Sequence, residues 1–309
     1  MNKFFIYISL ILVASVSSCK KEIFKQETRT FYMGVTPFPP DFISVGNQKA
    51  YNFINSKCDM ITNHIQDGIP WQLALDGTPY PAEVTKSINE RLNGNNGRIV
   101  YLALAPLNFS RNHIAEYWGA NTLDSIKVKW KNISFDDTLV SNSYYNFCCY
   151  LIDKFQPKYF NYAVESNSKD WNETEFTKFL TMLSRVYPRL KQKYPSLPIF
   201  ASYMVSLDQK FIDNAKKINQ YSDYISISSY HYMEISSLAY GSTEPINIPK
   251  NWYSRYREID NSKPFAIAET GYIAEDLDLS EYGITKKGDP KWQADYLQSL
   301  LEVCNGYNA

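Results

Sequence analysis

Short apolar runs alternate with longer amphipathic stretches along most of this chain. Runs at 31–36, 58–63, 98–105, 159–164, 198–204, 223–229 and 264–268 are rich in Ile, Val, Phe and Tyr and too short for helices, so they predict seven β-strands. Between them, 42–55, 82–92, 141–155, 173–194, 208–219 and 252–260 are predicted helices, and another is predicted over 292–303. Asn172 or Thr174 is placed to cap the helix that begins near 173. Repeated strand–helix units with near-continuous apolar strands are the pattern of a parallel sheet covered by helices. The segment 106–137 fits no simple helix, and an excursion of that kind between units usually shapes a cleft.

Two of the strands stop at a carboxylate. The run Pro264-Phe265-Ala266-Ile267-Ala268 ends at Glu269, followed by Thr270 and Gly271, and the run ending Ala163-Val164 stops at Glu165. A buried parallel strand that ends in an acid and a turn delivers that acid to the mouth of a barrel. The two glutamates lie 104 positions apart. One unit of an eight-fold barrel takes about 31 residues, so three slightly generous units separate them, as on strands four and seven of a (β/α)8 TIM barrel. Paired acids so placed suggest sugar chemistry.

In these residues the chain resembles the clan of retaining glycoside hydrolases built on (β/α)8 barrels, nearest to endo-β-1,4-galactanase-type members. The resemblance implies that Glu269 is the nucleophile, ionised, and that Glu165 is the acid/base, with a raised pKa. Retention needs the two carboxyl groups about 5 to 5.5 Å apart. The plainer alternative for each acid is a strand-end carboxylate that caps a loop or pairs with an Arg. Residues 226–232, Ser-Ile-Ser-Ser-Tyr-His-Tyr, resemble the strand-six motif of the same group. That likeness implies that Tyr230 orients the nucleophile, with His231 beside it in the cleft; a core Tyr with a satisfied hydroxyl is the alternative. Where the clan places Asn before the acid/base, this chain has Val164. Asn167 either substitutes for that amide or belongs to a turn with no catalytic task.

On the loop after strand two, His64, Asp67 and Trp71 form a candidate sugar subsite, with the indole stacking on a pyranose face and the polar groups meeting hydroxyls. A lone loop His is more often structural, so that alternative stands beside it. The three histidines, at 64, 113 and 231, show no metal-ligand spacing, and no cofactor is expected. No Gly-rich phosphate loop, G-x-S-x-G elbow or nucleophilic Cys context is present. Schiff-base chemistry of the lyase or aldolase kind lacks a well-placed strand-end Lys.

Residues 1–18 read as a signal peptide with an apolar core too short to span a bilayer. Val16-Ser17-Ser18-Cys19 resembles the lipobox of bacterial lipoproteins, which implies a lipidated Cys19 and a membrane-anchored, extracytoplasmic protein. Residues 19–29 would be a flexible tether, and Lys20-Lys21-Glu22 resembles a surface-export signal of some Gram-negative lipoproteins. Residues 30–309 would form a single barrel domain acting as a monomer. Formal net charge is zero, so nothing draws the chain to nucleic acid, and a neutral carbohydrate partner fits better. Cys58, Cys148, Cys149 and Cys304 lack C-x-x-C spacing and are expected to be mostly free, buried thiols.

Aromatic residues make up 16% of the chain, enough to furnish flat platforms for sugar rings, although an AT-rich coding bias would enrich Tyr and Phe in the same way. Only seven strands are found before Ala309, which predicts a C-terminally truncated, incomplete barrel. The function expected is a glycoside hydrolase that cuts a β-linked poly- or oligosaccharide with retention. The rival is a catalytically silent barrel that only captures glycan at the cell surface.

Overall fold

A computed structural model describes residues 30–39, 45–234 and 243–307. The expected signal peptide, Cys19 and the expected tether through residue 29 lie outside the described residues. Seven parallel strands follow one another around a curled sheet: β1 Gly34–Val35, β2 Met60–Ile65, β3 Ile99–Leu104, β4 Tyr159–Ala163, β5 Ile199–Met204, β6 Ile225–Ser229 and β7 Phe265–Thr270. Their spatial order is their sequence order, and the result is a TIM-barrel-like α/β fold. No eighth parallel strand occurs among the described residues, as the strand count along the sequence predicts.

The helices are α1 Gly46–Lys57, α2 Trp71–Asp76, α3 Ala82–Gly94, α4 Asp124–Lys131, α5 Thr138–Phe155, α6 Glu173–Lys193, α7 Gln209–Ile218, α8 His231–Glu234, α9 Ser254–Arg257 and α10 Pro290–Tyr307. Side-chain caps open α5, α6, α7 and, through Asp289, α10, each satisfying backbone N–H groups that have no partner inside the helix. Asp137 accepts from Leu139, Asn172 from Thr174 and Glu175, and Asp208 from Lys210. The expected strand over 31–36 shrinks to the two residues of β1, and the expected helix over 252–260 to the single turn of α9. A short antiparallel hairpin, β8 Leu277–Leu279 with β9 Ile284–Lys286, lies between β7 and α10.

The period-two alternation of a strand sorts the core into two layers. Val100, Leu102 and Leu104 of β3 join the large cluster that packs under the helices. Tyr101 and Ala103 point the other way and, with Met60, Ala105, Val164 and Phe200, fill the barrel interior. Stacked rings of Tyr101 and Phe200, 6.1 Å apart, pack in that interior. Cys58, Cys148, Cys149 and Cys304 are buried thiols.

Two register slips occur near the ends of the strands that carry the acids. Between β4 and β5 the pairing shifts between Asn161 and Ala163, just before Glu165. Between β6 and β7, Ile227 faces Ile267 but Ser228 faces Glu269, so Ala268 is passed over. An extra residue of this kind re-aims the side chains that follow it.

Candidate active site

Glu165 is the turn residue after β4, and its backbone takes φ of 49°, in the left-handed region that a side chain ordinarily avoids. A polar cradle inside the barrel fixes it. Its N–H donates to Ser202 Oγ at 3.0 Å, while Asn161 Nδ2 donates to the same oxygen at 2.9 Å and to the Tyr101 hydroxyl at 3.0 Å. The carboxylate meets Arg111, whose Nε and Nη2 lie 3.3 and 3.2 Å from Glu165 Oε2.

Arg111 arrives on the loop after β3. Its N–H donates to Asn108 O at 3.0 Å, and Asn108 Oδ1 accepts from the N–H groups of Asn112 and His113 at 3.1 Å each. Side chain and backbone of Asn108 thus close the turn that aims the guanidinium inward.

Glu269, at the end of β7, has the Tyr230 hydroxyl donating to Oε2 at 3.4 Å. His64, from β2, places Nδ1 3.1 Å from Glu269 Oε1. That separation suits an ion pair, yet Oε1 has no hydrogen-bond partner among the described residues, so the N–H stands out of line. The ring is also neutral near physiological pH. Burial, then the charges of Arg111 and Arg91, push His64 down to about 4. Gln66 Nε2 lies 2.7 Å from His64 Nε2. An amide nitrogen can only donate there, so the ring proton belongs on Nδ1, facing Glu269. The contact is a neutral N–H beside a carboxyl group.

Burial is the largest influence on Glu269 and the charge of Glu165 the next; together they push its carboxyl up to about 7, against the opposing pull of Arg111 and of the Tyr230 hydrogen bond. Each acid lies in the field of the other, the coupling expected of a shared-site carboxylate pair. Burial, followed by Glu269, holds the phenols of Tyr230 and Tyr101 far above their ordinary range, so both remain hydrogen-bond donors. The resemblance called for an ionised Glu269 and a raised Glu165; in this structure the raised carboxyl is that of Glu269.

The fold therefore brings Glu165, Glu269, His64 and Tyr230 into one cluster. Three other candidates are corrected. Trp71 is fully buried, stacks on Trp130 at 5.7 Å and donates Nε1–H to Ala115 O, so it offers no open face to a sugar. Asn167 is fully buried and its amide is spent: Nδ2 donates to Met204 O and Phe211 O, and Oδ1 accepts from Met204 N. It ties the Glu165 turn to β5 and α7 and cannot replace the amide that Val164 displaces. His231 is fully buried against the edge of Trp252 and the ring of Tyr272, and burial pushes it down to about 4, so it is an uncharged packing group. Asp67 is a surface partner of Arg91, 2.8 Å away.

Arg111, Tyr101, Asn161 and Ser202 are the additions. Tyr101 and Asn161 had a sequence signal, as polar groups at inward positions of otherwise apolar strands. Arg111 had none. No group of side chains able to hold a metal ion is found among the described residues.

The chain matches no protein-family model and no curated protein. Its fold is similar to solved structures. Over 91% of this chain and 84% of the other, it superposes on the GH53 catalytic domain of Ignisphaera aggregans with a TM-score of 0.51 and 15% identity. Over 85% of this chain and 48% of the other, it superposes on a β-galactosidase from Rahnella sp. R3 with a TM-score of 0.50 and 11% identity. At such identities the likeness is one of fold alone, that of a (β/α)8 barrel.

Proposed function

We propose that this protein is a glycoside hydrolase that cleaves a β-linked poly- or oligosaccharide with retention of configuration. The observation that carries the reading is the pair of Glu165 and Glu269, at the ends of β4 and β7 and each in the field of the other, with Tyr230 on one acid and Arg111 on the other. Glu269 attacks the anomeric carbon and Glu165 protonates the leaving oxygen; water then reverses the first step, with Glu165 as base. Tyr230, donating to Oε2, holds the Glu269 carboxyl in line with the sugar, with the neutral ring of His64 packed beside it. Attack requires Glu269 as the anion, so a substrate that fills the site must leave its proton with Glu165. A galactan-type β-1,4 substrate is supported by the endo-β-1,4-galactanase resemblance of the strand-end residues. Attachment to a bacterial membrane through Cys19 is supported by the lipobox-like residues 16–19.

A second reading has its own observation. Val164 is buried in the barrel interior where an amide would serve the sugar, and Glu165 is tied up by Arg111. Both fit a barrel that binds glycan without cutting it.

Time-resolved proton NMR of β-1,4-galactan and other β-glycans incubated with the protein separates the two. The β-anomer is expected as the first product, mutarotating afterwards. An α-anomer as first product contradicts retention, and binding without any product selects the silent barrel.

A further inference from the structure

We propose that Arg111, which no motif marks, is a positioning residue of the carboxylate pair: its buried guanidinium fixes where the Glu165 carboxylate stands and supplies a cation that both acids feel. Among the described residues, the non-glycine positions with positive φ are Asn96, Arg111, Gln156 and Glu165. Asn96 lies in a turn, and Gln156 caps the end of α5, where the left-handed conformation is ordinary. Arg111, at φ 58°, lies in the turn that Asn108 closes, and Glu165, at φ 49°, in the turn after β4, and the two meet each other in one ion pair. Backbone strain of this kind persists where surrounding contacts over-determine it, and it gathers at functional sites.

The pair is also shielded. The side chains of Arg111 and Glu165 are 9% and 14% exposed, so water and salt weaken their attraction little. Around them stand Glu269 from β7, the neutral His64 from β2, the protonated phenols of Tyr230 and Tyr101, and the more distant cation of Arg91 on α3. With His64, Tyr230 and Tyr101 uncharged and Arg91 more distant, Arg111 is the cation in contact that balances two carboxyls in a buried site. Its charge reaches Glu269 as well, where it favours the anion. Both nitrogens bind one oxygen of Glu165, Oε2.

The test compares wild type with R111Q and R111K by carbon-13 NMR of the glutamate side-chain carboxyls, with E165Q and E269Q used to assign the signals. Removing the cation that favours the Glu269 anion is expected to move the Glu269 titration upward by about one pH unit or more. R111K, which keeps the charge but not the two-nitrogen grip, is expected to move it less. If R111Q does not fold, the R111K titration decides: a midpoint displaced from wild type supports the role. Identical midpoints in wild type and the folded variants overturn it. A second arm rests on the glycosidase reading. There, R111Q is expected to lose about 10²-fold in kcat with little change in KM, and to carry the alkaline limb of its pH profile to higher pH, with R111K intermediate. If wild type turns over no glycan, the glycosidase reading fails, while the titration still decides the role of Arg111.

Discussion

Glu269→Gln is expected to abolish turnover, by on the order of 10⁴-fold or more, and at the same time to make the protein more resistant to alkaline unfolding. The first half follows from chemistry. An amide of the same size keeps the Tyr230 contact but cannot form or release a glycosyl ester. The second half follows from burial. The Glu269 carboxyl is pushed from its ordinary 4.5 up to about 7, first by burial and then by the charge of Glu165. A group whose folded value is raised contributes fully below its unfolded value, and that contribution is lost as pH climbs through the folded value. Wild type is therefore expected to lose stability between roughly pH 4.5 and 8, by on the order of 3 kcal/mol, a sum belonging to the coupled pair. The Gln variant, with nothing to ionise there, should show a flatter profile. Melting scans at several pH values check this half. Retention of wild-type turnover in a folded E269Q protein would sink the assignment.

Trp71→Ala is expected to act on folding and not on sugar affinity. Trp71 is fully buried at the start of α2, between Trp130 at 5.7 Å and Tyr144 at 6.1 Å. Its Nε1–H holds Ala115 O at 3.0 Å, and its own carbonyl accepts from Ser143 Oγ at 2.5 Å. Truncating it empties a site that joins α2 to α5 and to the loop after β3, and removes a buried hydrogen bond. A loss of about 3–5 kcal/mol is expected for such a change, on the order of 10 °C in Tm. Trp71→Phe, which keeps most of the packing and loses the donor, should fall between. On the glycosidase reading, the protein that remains folded should keep its KM. A W71A protein of near-wild-type Tm with KM raised more than about tenfold would restore Trp71 as a sugar platform.

Trp71 also shows where sequence reading runs out. An aromatic residue just after a strand has the same appearance whether it stacks on a sugar or on another Trp, and its partner here, Trp130, lies far along the chain inside the unassigned segment. The strands were legible because each is a compact apolar run between polar breaks. The six residues of α2 and the eight of α4 were not, being too short to display a helical period, nor were the three-residue strands of the hairpin.

The two acids were legible because a carboxylate that ends an apolar run has few other uses. The register slip that leaves Ser228 opposite Glu269 was not, since strict alternation along β7 sends residues 268 and 269 to opposite faces. Asn167 and His231 were misread because a polar side chain near a strand end can equally serve the fold: Asn167 spends its amide on backbone, and His231 packs as a neutral ring. Arg111 reaches Glu165 across 54 positions by the closing of one turn, which no local pattern announces.

The central claim is that Glu269 forms a covalent bond to the sugar. The most direct test is mass spectrometry of the protein after incubation with a 2-deoxy-2-fluoro β-glycoside carrying a good leaving group, followed by peptide mapping. An added mass of one fluorosugar, on the peptide that contains Glu269 and absent in E269Q, is the predicted result. A label on Glu165 would exchange the roles of the two acids. No label on a protein that still binds glycan would contradict the account and leave a binding barrel in its place.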